Sequence, residues 1–220
     1  MRLFLATASL DEIRWATTAG LIDGVVATPT VVASELPNAD LREVVAEIAR
    51  ATRLPLCASV PAVGAAEIVK GARDITKLAE NVIVAIPFIE DAVPAIAKLS
   101  ADGVRVAATL VYSAAQGILA AKAGASMVTI AIDALDAVGQ DGVGVLRELR
   151  AAFGDDTECD IAAAGPSSAS SFAACAAAGA DVAIVTPATL HSLMQHPLTD
   201  RGLDRFLTVI SRRPKPRRAR

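Results

Sequence analysis

The chain has 220 residues, 53% of them hydrophobic but only 3% aromatic, with 21 basic and 24 acidic residues for a formal net charge of −3. That length allows one domain with a full core, which must be built from Ala, Val, Ile and Leu. No apolar run reaches the roughly 20 residues that a membrane-spanning helix needs.

The start of the chain, Met1 to Ala8, is followed at once by Asp11 and Glu12, so it reads as a strand and not as a secretory leader. The expected location is the cytoplasm. Cys57, Cys159 and Cys175 lack metal-ligand spacing, and His191 and His196 stand apart from them. No metal, disulfide or cofactor is expected. Residues 212–220 hold six positive charges and two prolines, leaving 15 basic against 24 acidic residues elsewhere. This stretch reads as a disordered, solvated tail; contact with an anion, RNA or a neighbouring subunit's acidic surface is the other reading. No membrane or nucleic-acid partner is expected.

In chain order, Arg2–Ala6 is an apolar strand. Ser9 caps a helix to about Ala19, with Glu12 completing a capping box and Gly20 ending it. Residues 24–29 form a second strand ended by Pro29, and a polar loop leads to a helix capped by Asp40. The third strand is predicted over 54–60, a helix over 64–80, and the fourth strand over Asn81–Ile86 with Pro87 at its end. A helix over 91–100, a strand over 104–111, a helix over 113–123 and a strand over 126–132 come next. Then come a helix over 142–153, strands over 159–164 and 181–185 flanking a helix over 168–178, and helices over 187–194 and 200–212. Eight strands, apolar on both faces and alternating with helices, predict an α/β fold, a (β/α)8 TIM barrel with an extra C-terminal helix. An open doubly wound sheet would want a glycine-rich loop after the first strand, and Ala6-Thr7-Ala8-Ser9 is not one. One domain over 1–211 and the tail are expected.

Several stretches resemble one family in shared order: Leu10-Asp11-Glu12-Ile13, Asp23-Gly24-Val25, Thr109 to Gln116, Ala121 to Ala125, Gly139-Gln140-Asp141-Gly142, and above all His196 to Phe206. Over residues 2–211 the chain resembles the small transaldolases and fructose-6-phosphate aldolases. The resemblance implies class I aldolase chemistry, in which a lysine forms an imine with a ketose carbonyl and polar groups position a proton-transfer water. It also implies pentameric or decameric homo-oligomers built through the C-terminal helix.

By that resemblance the lysine would fall at Ala85, a carboxylate at Ala6 and an amide at Thr28. The phosphate-binding arginine would fall at Ala134, the phosphate serine at Ala164 and an aromatic residue near Ala131. Ser59 and Thr109 keep hydroxyls. Ser59, Ala85, Thr109, Ala131, Ala134 and Ala164 are therefore the pocket candidates, with no catalytic residue assigned.

The expectation is a pseudoenzyme, its barrel kept as an assembly or binding module. A repurposed enzyme or binder of a neutral or apolar metabolite is the alternative, and remaining aldolase activity in carbohydrate metabolism a third reading. Lys70, Lys77, Lys98 and Lys122 are placed on outer helices, and Lys215 in the tail. Gly165 to Ser168 opens a helix as an N-cap or an anion site. Tyr112, Ser113 and Gln116 face the pocket or serve helix docking, and Asp133 and Asp136, acids near the mouth, read as a cap or a surface salt bridge. His191 and His196 pack around the last helices, and Trp15 is an outer-helix or interface anchor.

Overall fold

In a computed structural model of the protein, residues 1–154 and 157–211 are described. The chain begins with β1 (Arg2–Ala6), α1 (Leu10–Thr18), β2 (Gly24–Ala27), α2 (Pro29–Glu35), α3 (Leu41–Ala51), β3 (Leu56–Ser59), α4 (Ala65–Thr76) and β4 (Val82–Pro87). A short 3-10 turn, Glu90–Ala92, leads to α5 (Val93–Ala101), β5 (Val106–Val111), α6 (Ala114–Lys122), β6 (Met127–Ala131), α7 (Ile132–Ala137) and α8 (Gly142–Phe153). Then come β7 (Asp160–Ala164), α9 (Ala169–Ala177), β8 (Val182–Val185), α10 (Pro187–Leu193) and α11 (Pro197–Ser211). Each strand pairs in parallel with the next and β8 returns to β1, so the fold is a closed (β/α)8 barrel. The basic stretch 212–220, read from the sequence as a tail, lies outside the described residues.

Side chains alternate across each strand and sort the core into two shells. On β4, Val82, Val84 and Ile86 face the helices, while Ile83 and Ala85 face the barrel axis. Burial of both faces is why the strands read as unbroken apolar runs. Phe4 is the one aromatic residue of the inner shell, and Gly24, its register partner on β2, makes room for it. A Cβ at Gly24 would sit 2.5 Å from the Phe4 ring.

Charges pin the N-terminal ends of the strands. Asp181 accepts from the Ile161 N–H at 2.8 Å and pairs with Arg150, whose Nε–H donates to the Gly179 carbonyl at 2.9 Å. Arg2 pairs with Asp160 at 2.6 Å, and that bond holds the guanidinium more firmly protonated. The Leu3 N–H donates to Asp23 at 2.8 Å.

Two helices were not legible as such. The stretch after Pro29 reads as a loop but forms α2, because Thr28 caps the Val31 N–H at 3.3 Å and proline suits the first helical position. Val32 alone is buried on that helix, so it carries no apolar period. The six-residue α7 buries only Ile132 and Leu135 and merges with the preceding strand in sequence. The predicted capping box is half formed. Ser9 accepts the Glu12 N–H at 3.4 Å, but the Glu12 carboxylate turns to His191 and the Ser9 N–H goes to Thr7 Oγ1.

Gly24→Ala is expected to destabilise the fold by about 1–3 kcal/mol through overpacking against Phe4. Urea unfolding checks this as a lower midpoint with an unchanged slope; an unchanged midpoint would mean that the ring gives way freely.

Candidate functional site

At the C-terminal ends of the strands, register brings most of the predicted pocket residues together. Ser59 pairs with Ala85, Ala85 with Ala107, Pro87 with Thr109, and Ala131 with Ala164. Ala85 belongs to the inner shell and is 1% exposed, with Ala6 and Ala164 packed partly buried against that shell. Cys57, Ala107 and Met127 also face the axis, so alternation carries the half-buried Ser59, Thr109 and Ala131 to the same inner face. Thr28 stands at the rim as the cap of α2. Ala134 does not join the group: it is exposed on α7, beyond the strand end.

Thr129 is an inner-face residue that sequence reasoning passed over. Met127 points inward and Val128 and Ile130 pack outward, so Thr129 also points inward. It is 8% exposed, and its hydroxyl has no hydrogen-bond partner among the described residues. A buried hydroxyl without a partner is costly. Counting by twos from Met127 would have found it, but the surrounding apolar run hid the period.

A bulge shapes the β5 side of the mouth. The register of β5 on β6 shifts between Ala108 and Val111, and Leu110 takes φ +57° while half exposed. The extra residue sends Val111 outward into the helix-facing core, where strict alternation would have turned it inward. A left-handed leucine costs about 1–2 kcal/mol, a strain that such bulges hold beside functional sites.

Two carboxylates reach the rim. Glu35, at the end of the unpredicted α2, accepts from Thr7 Oγ1 at 2.8 Å and from the Ala8 N–H at 2.7 Å, tying α2 to the exit of β1. Reading this segment as a loop concealed Glu35. Asp133 accepts the Ala134 N–H at 2.8 Å and lies against Gly165 at the exit of β7, where φ is +75° and a Cβ would come within 2.3 Å of its carboxyl carbon.

The other candidates have structural work. Asp136 accepts the Gly142 N–H at 3.1 Å, and Gln116 Oε1 accepts the Tyr112 N–H at 2.9 Å. Ser113 and Ser168 cap α6 and α9. His191 stacks on Trp15 at 4.5 Å and meets Glu12 at 3.2 Å, while His196 Nδ1 accepts the Leu198 N–H at 3.1 Å. Burial pushes the Cys57 thiol, within the inner shell, up to about 12, so it is no nucleophile at neutral pH. Lys70, Lys77, Lys98 and Lys122 are all exposed on, or at the end of, outer helices.

The comparisons bear on what this mouth does. The family model described as "Transaldolase/Fructose-6-phosphate aldolase" matches residues 3–213. A probable transaldolase of Heliobacterium modesticaldum is 42% identical, covering 94% of this chain and 96% of that protein. One from Caldicellulosiruptor saccharolyticus is 37% identical over 98% of this chain and 99% of its own length. The chain belongs to the transaldolase/fructose-6-phosphate aldolase family.

Two solved structures share only the fold with this family member. One is described as "Native KDPGal structure", at 16% identity and TM-score 0.60, covering 83% of this chain and 80% of that one. The other is a designed cube-shaped, porous protein cage made by fusing symmetric oligomeric domains, at 14% identity and TM-score 0.63, covering 96% of this chain and 77% of that one.

Membership corrects the expectation of a pseudoenzyme and, with it, of a binder repurposed for a neutral or apolar metabolite. Relatives 37–42% identical over nearly the full length of both chains carry the name probable transaldolase, and they support a transaldolase-family function. The expectation weighed the alanines at the strand ends more heavily than the agreement of the whole chain.

Thr129→Val keeps the shape of the side chain and removes the partnerless hydroxyl. It is expected to stabilise the free protein by about 1 kcal/mol or more. Thermal unfolding checks the sign; a loss of stability would mean that the hydroxyl is satisfied in solution.

Proposed function

We propose that this family member makes or breaks a carbon–carbon bond beside the carbonyl of a ketose, at the C-terminal mouth of the barrel. The identity to probable transaldolases over nearly the whole of both chains carries the reading. The hydroxyls of Ser59, Thr109 and Thr129 suit the oxygens of a sugar, and Asp133 and Glu35 bring carboxylates for proton transfer to the rim.

Ala6, Thr28 and Ala85 stand where the resemblance puts a carboxylate, an amide and a lysine. A methyl group at 85 forms no imine, so the reading assigns polarisation of the ketose carbonyl to the three hydroxyls. Ala131 and Ala164, at positions of larger or polar groups in the resemblance, add small residues to the mouth, and Ala134 stands outside it.

The protein is expected to release glyceraldehyde 3-phosphate from fructose 6-phosphate, alone or with an aldose phosphate acceptor, in a coupled assay. Borohydride added during turnover is expected to leave the intact mass unchanged, with Ala85→Lys as the trapping control. A lysine adduct on the parent protein would move carbonyl activation to that lysine. No turnover above a heat-killed control would remove the proposed reaction.

The same reading makes the protein a cytoplasmic homo-oligomer, a pentamer or decamer joined through α11. None of the fifteen residues of α11 is buried, and Leu203, Phe206, Leu207 and Ile210 line one side of it at helical spacing, each about half exposed or more. An isolated helix of this length is marginal in water, so an apolar face of this kind needs cover. No helix among the described residues is long and apolar enough to cross a membrane. The free cysteines Cys57, Cys159 and Cys175 are all buried, as a reducing compartment allows. Light scattering is expected to give a mass several times that of the chain, and Phe206→Asp with Leu207→Asp to reduce it to the monomer; a monomeric parent protein would overturn the assembly.

A further inference from the structure

A cleft of about 740 Å³ opens between the C-terminal ends of α3 and α4. It lies where the chain enters β3 and β4, on the face of the barrel opposite the mouth. A smaller hollow of about 290 Å³ shares Thr76, Ala79 and Glu80 with it and extends it to Arg105 at the start of β5. We propose that this cleft binds a small phosphate-bearing anion, a phosphorylated metabolite distinct from whatever reacts at the mouth.

Charge carries the argument. Arg50, Arg53 and Lys77 line the cleft and Arg105 its extension, and Glu80 is the one carboxylate along either. Elsewhere Arg2, Arg14, Arg73, Lys98 and Arg150 each pair with a carboxylate, while cations such as Arg42, Lys70 and Arg147 have no such partner among the described residues, so it is the gathering at one hollow that sets this group apart. Lys77 has Asp74 at 3.3 Å, whereas Arg50, Arg53 and Arg105 pair with no carboxylate among the described residues. In a chain of net charge −3, cations gathered on one concavity do not follow from composition.

The helix ends do not account for them. Each helix C-terminus carries about half a negative charge, which favours one cation nearby but does not require several around a hollow. Set against Glu80, the Asp74 paired with Lys77 and the two half charges, the four cations leave the cleft and its extension about one charge positive.

The neutral polar side chains are partly engaged. Thr76 Oγ1 donates to the Ala72 carbonyl at 3.0 Å, and Asn81 Nδ2 to the Leu54 carbonyl at 2.5 Å. Recognition falls mainly to the cations, which favours a multiply charged anion over a neutral sugar. The volume falls within the range of roughly 300–1,000 Å³ typical of small-molecule sites. A compact cluster at one hollow fits a metabolite better than the extended backbone of a nucleic acid.

Inorganic pyrophosphate is the probe. Titration calorimetry at low salt is expected to show saturable binding that weakens as salt rises. Arg50→Gln with Arg53→Gln is expected to lower the affinity about tenfold or more. The same variant should leave the circular dichroism spectrum, and turnover measured without pyrophosphate, unchanged. Because the readout is pyrophosphate binding, a silent mouth would leave this site standing. Absence of saturable binding, binding that survives the double variant, or tighter binding of a single-stranded RNA oligomer than of pyrophosphate would overturn it.

Discussion

The pairing of β8 with β1, from Arg2 opposite Val182 to Leu5 opposite Val185, is the contact on which the rest of the molecule depends. It turns an open sheet into a barrel and removes both edges. Once closed, the sheet has an inside and an outside, and each strand residue belongs to one of them. The ionic contacts of Arg2, Asp160, Arg150 and Asp181 cluster at the β7–β8–β1 seam.

Closure also limits what the interior can hold. Phe4, Ile83 and Met127 fill the axis on the side of the strand starts, and Gly24 yields the space that Phe4 needs. Towards the mouth Ala6, Ala85, Ala131 and Ala164 stand beside the larger Val26 and Ile184, with hydroxyls at Ser59, Thr109 and Thr129. An apolar floor lies beneath a mouth that carries these hydroxyls. The β5 bulge and the Glu35 tie from α2 to β1 hold opposite parts of that rim.

The outer surface is less uniform than the core. One end of the barrel gathers cations around a hollow, and α11 carries an apolar face with no buried residue. Both are features that a self-contained catalytic barrel does not need. They direct attention to association and to a second ligand, independently of the chemistry at the mouth.

The sequence by itself determined the barrel and the family. Doubly buried strands leave apolar runs that are legible without coordinates, and the segment from His196 to Phe206, together with the stretches in shared order, carries the kinship. Capping residues such as Ser9, Asp40 and Ser168 fixed helix starts, because a cap is a local bond. Elements without a period, such as α2 and α7, were not legible, and Glu35 was lost with α2. Alanine at 85 was legible as a residue type but misled as to function, because one position says less than agreement along the chain. Only the tertiary structure decided that Thr129 lies inward without a partner, that Leu110 bulges and that Ala134 stands apart. It alone brought Arg50, Arg53 and Lys77 to one hollow. These are contacts between segments distant in sequence, set by barrel closure and strand register, and no local pattern encodes them.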